Sequence, residues 1–324
     1  MFLSLRSTGN MTQYSLSISR DIRNLKTRKG ITILAHYYQR PEIQDVADYV
    51  GDSLALAQQA IRCGTSSILF AGVHFMAETA KIINPGCQVL IPDIEAGCSL
   101  ADSCPPDAFR TFLQAYQSHK VISYINCSAE IKAMSDVICT SSNAERIIGS
   151  FDDDQPIVFA PDRNLGRYLN SKTGREMVLW DGSCVVHESF SIDKLLQLYL
   201  RYPEARIVAH PESEAHLLKV AHFIGSTTAI ISYIERSEAS EFIVATEAGV
   251  LHALSQQMQR KVIIPAPTTQ NNSCACGECG YMKLNTLEKI YDCLMQEYPV
   301  VKIDESLRLK ALQPLLRMLE YSKN

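Results

Sequence analysis

The hydrophobic pattern of this chain alternates between two periods. Residues 15–29 space their apolar positions as a helix does, and Gly30 closes it. From there, near-continuous apolar and β-branched runs predict strands at 31–35, 66–71, 88–91, 120–125, 156–160, 177–180, 206–209, 241–246 and 261–264. Helical patterns lie between them, for example at 53–62, 106–117, 192–200 and 214–222. Strands that are apolar on both faces and alternate with helices belong to parallel sheets covered on both sides. Asn285-Thr286-Leu287-Glu288 reads as a capping box opening a helix to about 297, and a last helix follows at about 304–321. The polar run Asp152-Asp153-Asp154-Gln155-Pro156 reads as a surface turn.

The pattern also repeats. The runs Ile33-Leu34-Ala35-His36, Val121-Ile122-Ser123-Tyr124 and Ile207-Val208-Ala209-His210 place His36, Tyr124 and His210 88 and 86 residues apart. A hydroxyl cluster follows 17 residues later in each case, at Ser53, Ser141 and Thr227. A second apolar run comes next, and a third leads to Cys98, to Cys184 and to the group Cys274, Cys276 and Cys279. This predicts an α/β protein of three homologous three-layer α/β/α sandwich domains, each with a short parallel sheet of three strands, around a pseudo-threefold axis. The expected boundaries are 1–30 for an N-terminal tail and helix, 31–118, 119–204 and 205–283 for the domains, and 284–324 for C-terminal helices packing on the first domain. Every landmark falls just after the carboxyl end of a strand, the edge at which open parallel sheets bind ligands. Three such edges facing one another make a central cavity with three walls.

Composition narrows the chemistry. The chain has 324 residues, 46% of them hydrophobic, and a formal net charge of −4, which suits a globular protein. Lys and Arg are scattered with no basic block, so nucleic acid is not an expected partner. No apolar run approaches the roughly 20 residues that span a bilayer, so no membrane partner is expected. Eleven cysteines in an α/β chain without the marks of a small disulfide scaffold point to metal or redox chemistry. The first 20 residues carry no acid, several serines, Arg6 and Arg20, and so resemble a transit peptide. The alternatives are a tail or an extension ahead of Met11. The expected location is the cytoplasm, with a plastid as the alternative.

Three thiolates meeting at one point can hold a zinc ion or an iron–sulfur cluster with one open coordination position. Cys63, Cys87, Cys127, Cys139 and Cys293 lie in or beside apolar segments and read as packing residues, while Cys104 is ambiguous. Spacing alone does not choose among Cys274, Cys276 and Cys279. Ser53, Ser141 and Thr227 stand where helices should start, and free N–H groups with a hydroxyl make anion sites, so the expected substrate carries carboxylates or a phosphate. His36, Tyr38, Tyr124, Asn126, His210 and Glu212 at strand ends, with His187 beyond Cys184, supply proton donors and acceptors.

At these residues the chain resembles the quinolinate synthase family. The matching segments are Ala35-His36-Tyr37-Tyr38-Gln39, Gly51-Asp52-Ser53, Ala71-Gly72-Val73-His74-Phe75-Met76-Ala77-Glu78-Thr79, Tyr124-Ile125-Asn126, Thr140-Ser141-Ser142-Asn143-Ala144, Val186-His187-Glu188, His210-Pro211-Glu212, Gly225-Ser226-Thr227 and Cys279-Gly280-Tyr281-Met282-Lys283-Leu284-Asn285-Thr286-Leu287-Glu288-Lys289. The resemblance implies a central 4Fe–4S cluster held by Cys98, Cys184 and Cys279. It implies condensation of iminoaspartate with dihydroxyacetone phosphate to quinolinate, and an iminoaspartate-producing enzyme as functional partner. Its implied catalytic residues are Tyr124, Glu212, His210, Tyr38 and His36. Its implied substrate contacts are His36, Ser53, Tyr124, Asn126, Ser141, His187, His210, Glu212, Ser226 and Thr227. The last cysteine group departs from some relatives in the gap between Cys274 and Cys276. Other readings are an iron–sulfur hydro-lyase acting on a different small dicarboxylate, or a metal-binding carrier without catalysis.

Overall fold

The computed structural model describes residues 13–269 and 277–322. It contains three four-stranded, all-parallel sheets interleaved with helices. The first comprises β1 (Ile31–His36), β2 (Tyr49–Gly51), β3 (Ser67–Ala71) and β4 (Gln88–Leu90) in the order β2-β1-β3-β4. The second comprises β5 (Lys120–Tyr124), β6 (Val137–Cys139), β7 (Ile157–Ala160) and β8 (Val178–Leu179) in the order β6-β5-β7-β8. The third comprises β9 (Arg206–Ala209), β10 (Phe223–Ile224), β11 (Glu241–Ala245) and β12 (Val262–Pro265) in the order β10-β9-β11-β12. The α/β class, the parallel sheets and the threefold repetition of one strand order are therefore as the sequence pattern implies.

Each sheet has one strand more than the hydrophobic runs predicted. The additions are the edge strands β2, β6 and β10, only two or three residues long. So short a strand carries no readable alternation. Each stops one or two residues before a hydroxyl cluster.

The central strands are buried on both faces, and their alternate residues enter different cores. In β9, Ile207 and Ala209 join Leu195, Leu217 and Ile243 on one side, while Val208 joins Ile230, Phe242 and Leu254 on the other. One continuous core joins the first two sheets, with Leu34, Phe70, Ile122, Ile138 and Phe159 in contact through their neighbours. Leu315 and Met318 of the helix Glu305–Glu320 belong to the same core. That helix packs on β6 and on the helices Ala129–Ala133 and His74–Ile83. The helix Leu287–Gln296 packs instead on Gln13–Lys29 and β3.

Ser53–Arg62 keeps its predicted bounds, Ile192–Arg201 runs one residue past its own, Pro106–Leu113 stops four residues short of 117, and Gly30 closes the first helix at φ +65°. The pattern at 214–222 yields only the helix Ala215–Leu218, because the chain then turns into β10. The capping residue of Leu287–Gln296 is Thr286, whose hydroxyl accepts from Lys289 N. Asn285, buried, donates instead to the carbonyl of Gly72.

Candidate active site

The carboxyl ends of the three sheets converge on one cavity. From around the first sheet it is lined by His36, Tyr38, Ser53 and Cys98. Tyr124, Asn126, Ser141, Cys184 and His187 come from around the second, and His210, Glu212 and Thr227 from the third. Cys279 completes the wall. Ser226 alone among the sequence-selected residues does not line it. Cys274 and Cys276 lie outside the described residues.

His36 ends β1, Tyr124 ends β5, and His210 directly follows β9. The backbone then makes the same turn twice: Tyr38 N donates to His36 Nδ1 at 3.2 Å, and Glu212 N donates to His210 Nδ1 at 3.4 Å. With Nδ1 accepting, the proton of each neutral ring belongs on Nε2. His210 Nε2 lies 3.2 Å from Ser141 Oγ, linking the third wall to the second. Tyr38 OH lies 2.8 Å from Thr227 Oγ1 and 2.9 Å from Thr246 Oγ1, linking the first to the third.

Glu212 is the centre of the polar network. Tyr124 OH donates to Glu212 Oε1 at 2.6 Å. His187 Nδ1 lies 3.1 Å from Glu212 Oε2. His210 Nδ1 is 3.6 Å from Oε1, and the His187 and His210 rings stack at 4.8 Å. Burial alone would raise the Glu212 carboxyl. His187, His210 and the Tyr124 hydroxyl outweigh it and hold the group below the ordinary carboxylate range. Burial, reinforced by Glu212, keeps the Tyr124 phenol protonated far above its ordinary range. Burial also pulls the His36 and His210 imidazoles down to about 3. The site thus offers a carboxylate acceptor hydrogen-bonded to a phenol donor, with neutral imidazoles lining the same cavity. Asn126 Oδ1 is buried in the same cavity without a partner among the described residues, an acceptor free for a ligand.

The three thiols fit a shared metal centre. Cys98, Cys184 and Cys279 are half-buried; burial pushes the Cys98 thiol up to about 12 and raises the Cys184 and Cys279 thiols as well. All three line the same cavity, and Cys98 interacts electrostatically with each of the other two. A bound metal ionises such thiols. No fourth cysteine lines the cavity among the described residues. A different donor set overlaps this one: ligand atoms of Cys184, His187 and Glu212 lie within 4.8 Å of one another.

The hydroxyl clusters are built differently from one another. Ser53 and Thr227 are first helical residues, whereas the caps are Asp52, accepting from Ala55 N, and Ser226, accepting from Ala229 N. Ser141 lies in the turn between Thr140 and Asn143, closed by Thr140 N donating to Asn143 Oδ1 at 2.7 Å. Asp52 also accepts from Thr228 Oγ1 at 2.6 Å and Ser142 Oγ at 3.5 Å, and so joins all three sheets at the boundary between the cavity and an outer cleft.

Four polar residues escaped the sequence reading. Thr246 bridges Tyr38 and His187. Glu247 lines the cavity and pairs with Lys283 at 2.9 Å. Asp162 is fully buried and caps Leu165 N with Oδ1, but its Oδ2 has no partner among the described residues, and burial pushes its carboxyl far up. Asp162 and Glu247 stand two residues past β7 and β11, at the offset that Val73 occupies after β3. Looking just past the second strand run of each repeat, as the first run led to His36, Tyr124 and His210, would have found these positions.

Residues 20–320 match the family model described as NadA, quinolinate synthetase A protein. The chain is 59% identical over 301 residues to the quinolinate synthase of Cyanothece sp. (strain PCC 7425 / ATCC 29141), a match covering 93% of each chain. It is 56% identical to that of Microcystis aeruginosa, over 99% of this chain and 100% of the other. Chloroherpeton thalassium has a quinolinate synthase 55% identical over 97% of both.

Proposed function

The chain belongs to the quinolinate synthase family, and from that premise we propose that it condenses iminoaspartate with dihydroxyacetone phosphate to quinolinate in the de novo formation of NAD. Phosphate and two waters leave, which balances the atoms of the two substrates against the product. The carrying observation is that one cavity is lined both by three thiols from separate parts of the chain and by a buried Tyr124–Glu212–histidine network. An enzyme producing iminoaspartate is the functional partner, and the reaction belongs in the cytoplasm. No helix among the described residues is long and apolar enough to cross a membrane.

Cys98, Cys184 and Cys279 would hold a 4Fe–4S cluster, whose open iron supplies Lewis acidity toward a hydroxyl or carboxylate during dehydration. The chain's own residues supply binding and proton transfer. Glu212 takes a proton at its carboxylate while Tyr124 holds one at its phenol, and His210 serves the same step through Nε2. Tyr38 and His36 contact the triose part. Asn126, Ser53, Ser141, His187 and Thr227 contact the polar groups of the substrates, and Ser226 supports Thr227 by capping its helix. The helices starting at Ser53 and Thr227 add N-terminal positive potential, which favours phosphate and carboxylates.

The test is anaerobic purification with iron and sulfide counting, followed by quinolinate detection from the two substrates. About four irons per chain, lost in Cys98→Ala, and quinolinate formation are expected. Iron without quinolinate overturns the reaction and favours a hydro-lyase. The Cys184–His187–Glu212 geometry supports a second reading, one mononuclear metal ion; a colourless protein with a single zinc would establish it instead.

A further inference from the structure

Glu247 is another buried carboxylate of the cavity, and the proposed proton transfer does not use it. It is 1% exposed, and Lys283 beside it is nearly as sheltered. Glu247 Oε1 accepts from Cys279 N at 2.9 Å and lies 2.9 Å from Lys283 Nζ, while Oε2 accepts from Gly249 N at 2.6 Å. Lys283 Nζ donates onward to the carbonyl of Tyr38 at 2.7 Å, and Lys283 N donates to Cys279 O at 3.1 Å. One ion pair therefore ties together three backbone turns: after β1, after β11, and from Cys279 to Lys283.

Stability alone is a poor reason to keep this arrangement. A buried ion pair often does no better than apolar residues of the same volume. What apolar residues cannot do is hold the Cys279 amide and the Tyr38 carbonyl at fixed points from opposite ends of one pair. We propose that Glu247 and Lys283 are a positioning pair that sets the Cys279 thiolate against Cys98 and Cys184 and ties that ligand to the Tyr38 wall. The inference rests on reading those cysteines as cluster ligands.

The test uses full-length protein with its native cluster, measured for reduction potential, iron content and half-life against an iron chelator. Charge and hydrogen bonding around a cluster set its potential. Glu247→Gln leaves the lysine cation uncompensated and should raise the potential. Lys283→Met leaves the carboxylate and should lower it. The double variant should return toward the wild-type potential while losing iron to the chelator faster than wild type. Lys283→Arg keeps the cation and should keep both iron and potential. Unmoved potentials and chelator half-lives in both single variants overturn the inference, as do shifts of the same sign. If Lys283→Met does not fold, the sign of the Glu247→Gln shift decides alone. Wild-type protein without iron overturns this inference together with the cluster reading. Wild-type protein with iron but unresponsive variants overturns this inference only.

Discussion

Glu212 and Glu247 are the same residue type, equally buried, in loops at the same edge of the third sheet, and they line one cavity. Their partners separate them. Glu212 faces a phenol and two imidazoles, each able to gain or lose a proton. Glu247 faces two backbone amides and a lysine, all of them donors only. Burial alone therefore does not identify a catalytic carboxylate. The first arrangement can pass a proton on; the second can only hold the chain in place.

The sharpest way to break this contrast is to neutralise the Glu212 side. Glu212→Gln and Tyr124→Phe should each lower kcat by about 10²–10⁴, the usual worth of a positioned acid or base. Iron content should stay at the wild-type level, which separates this side from Cys279 and Glu247. Near-normal steady-state turnover in either variant would remove that residue from the proton-transfer set.

A second contrast is with pH. The folded state holds His36 and His210 at about 3, against an ordinary value of 6.5. Their depressed values favour the fold fully above about 6.5, and that contribution is lost as pH falls toward 3. By pH 5 the loss should be roughly 2 kcal/mol for each histidine. Urea titrations at pH 8 and pH 5 measure it. His36→Gln should flatten the dependence, and an unchanged slope would mean that the ring is not held neutral.

The Glu247 side should respond to volume instead. A Cβ added at Gly249 would stand 2.7 Å from the Tyr38 backbone and 2.8 Å from Glu247 Oε2. Gly249→Ala should cost about 1–3 kcal/mol, as overpacking does, read as a shift in urea midpoint. No shift would show that this junction has room to yield.

Much of this was legible because repetition multiplies weak signals. One strand-end histidine says little, but His36, Tyr124 and His210 at matching places fix the edge, the axis and the cavity together. The edge strands β2, β6 and β10 were not legible, since two or three residues make no period. Thr246 and Lys283 were hidden for another reason. Their partners are backbone groups and side chains distant in sequence, and only packing brings Lys283 to Tyr38. Among the cysteines the sequence offered candidates, but proximity of Cys98, Cys184 and Cys279 is a property of the three facing edges.

The smallest expected effect tests how finely the cavity wall can be drawn. Ser226 and Thr227 are adjacent, yet only Thr227 faces inward; Ser226 lines the outer cleft and accepts from Ala229 N at 3.3 Å. A lost cap costs about 1 kcal/mol of stability without touching substrate. Ser226→Ala should therefore shift the urea midpoint while leaving KM for the proposed substrate dihydroxyacetone phosphate within about twofold. Thr227→Val, which removes the hydroxyl beside Tyr38, should raise that KM instead. A Ser226→Ala variant with normal stability and a sharply raised KM would put its hydroxyl on the substrate and move the wall outward by one residue.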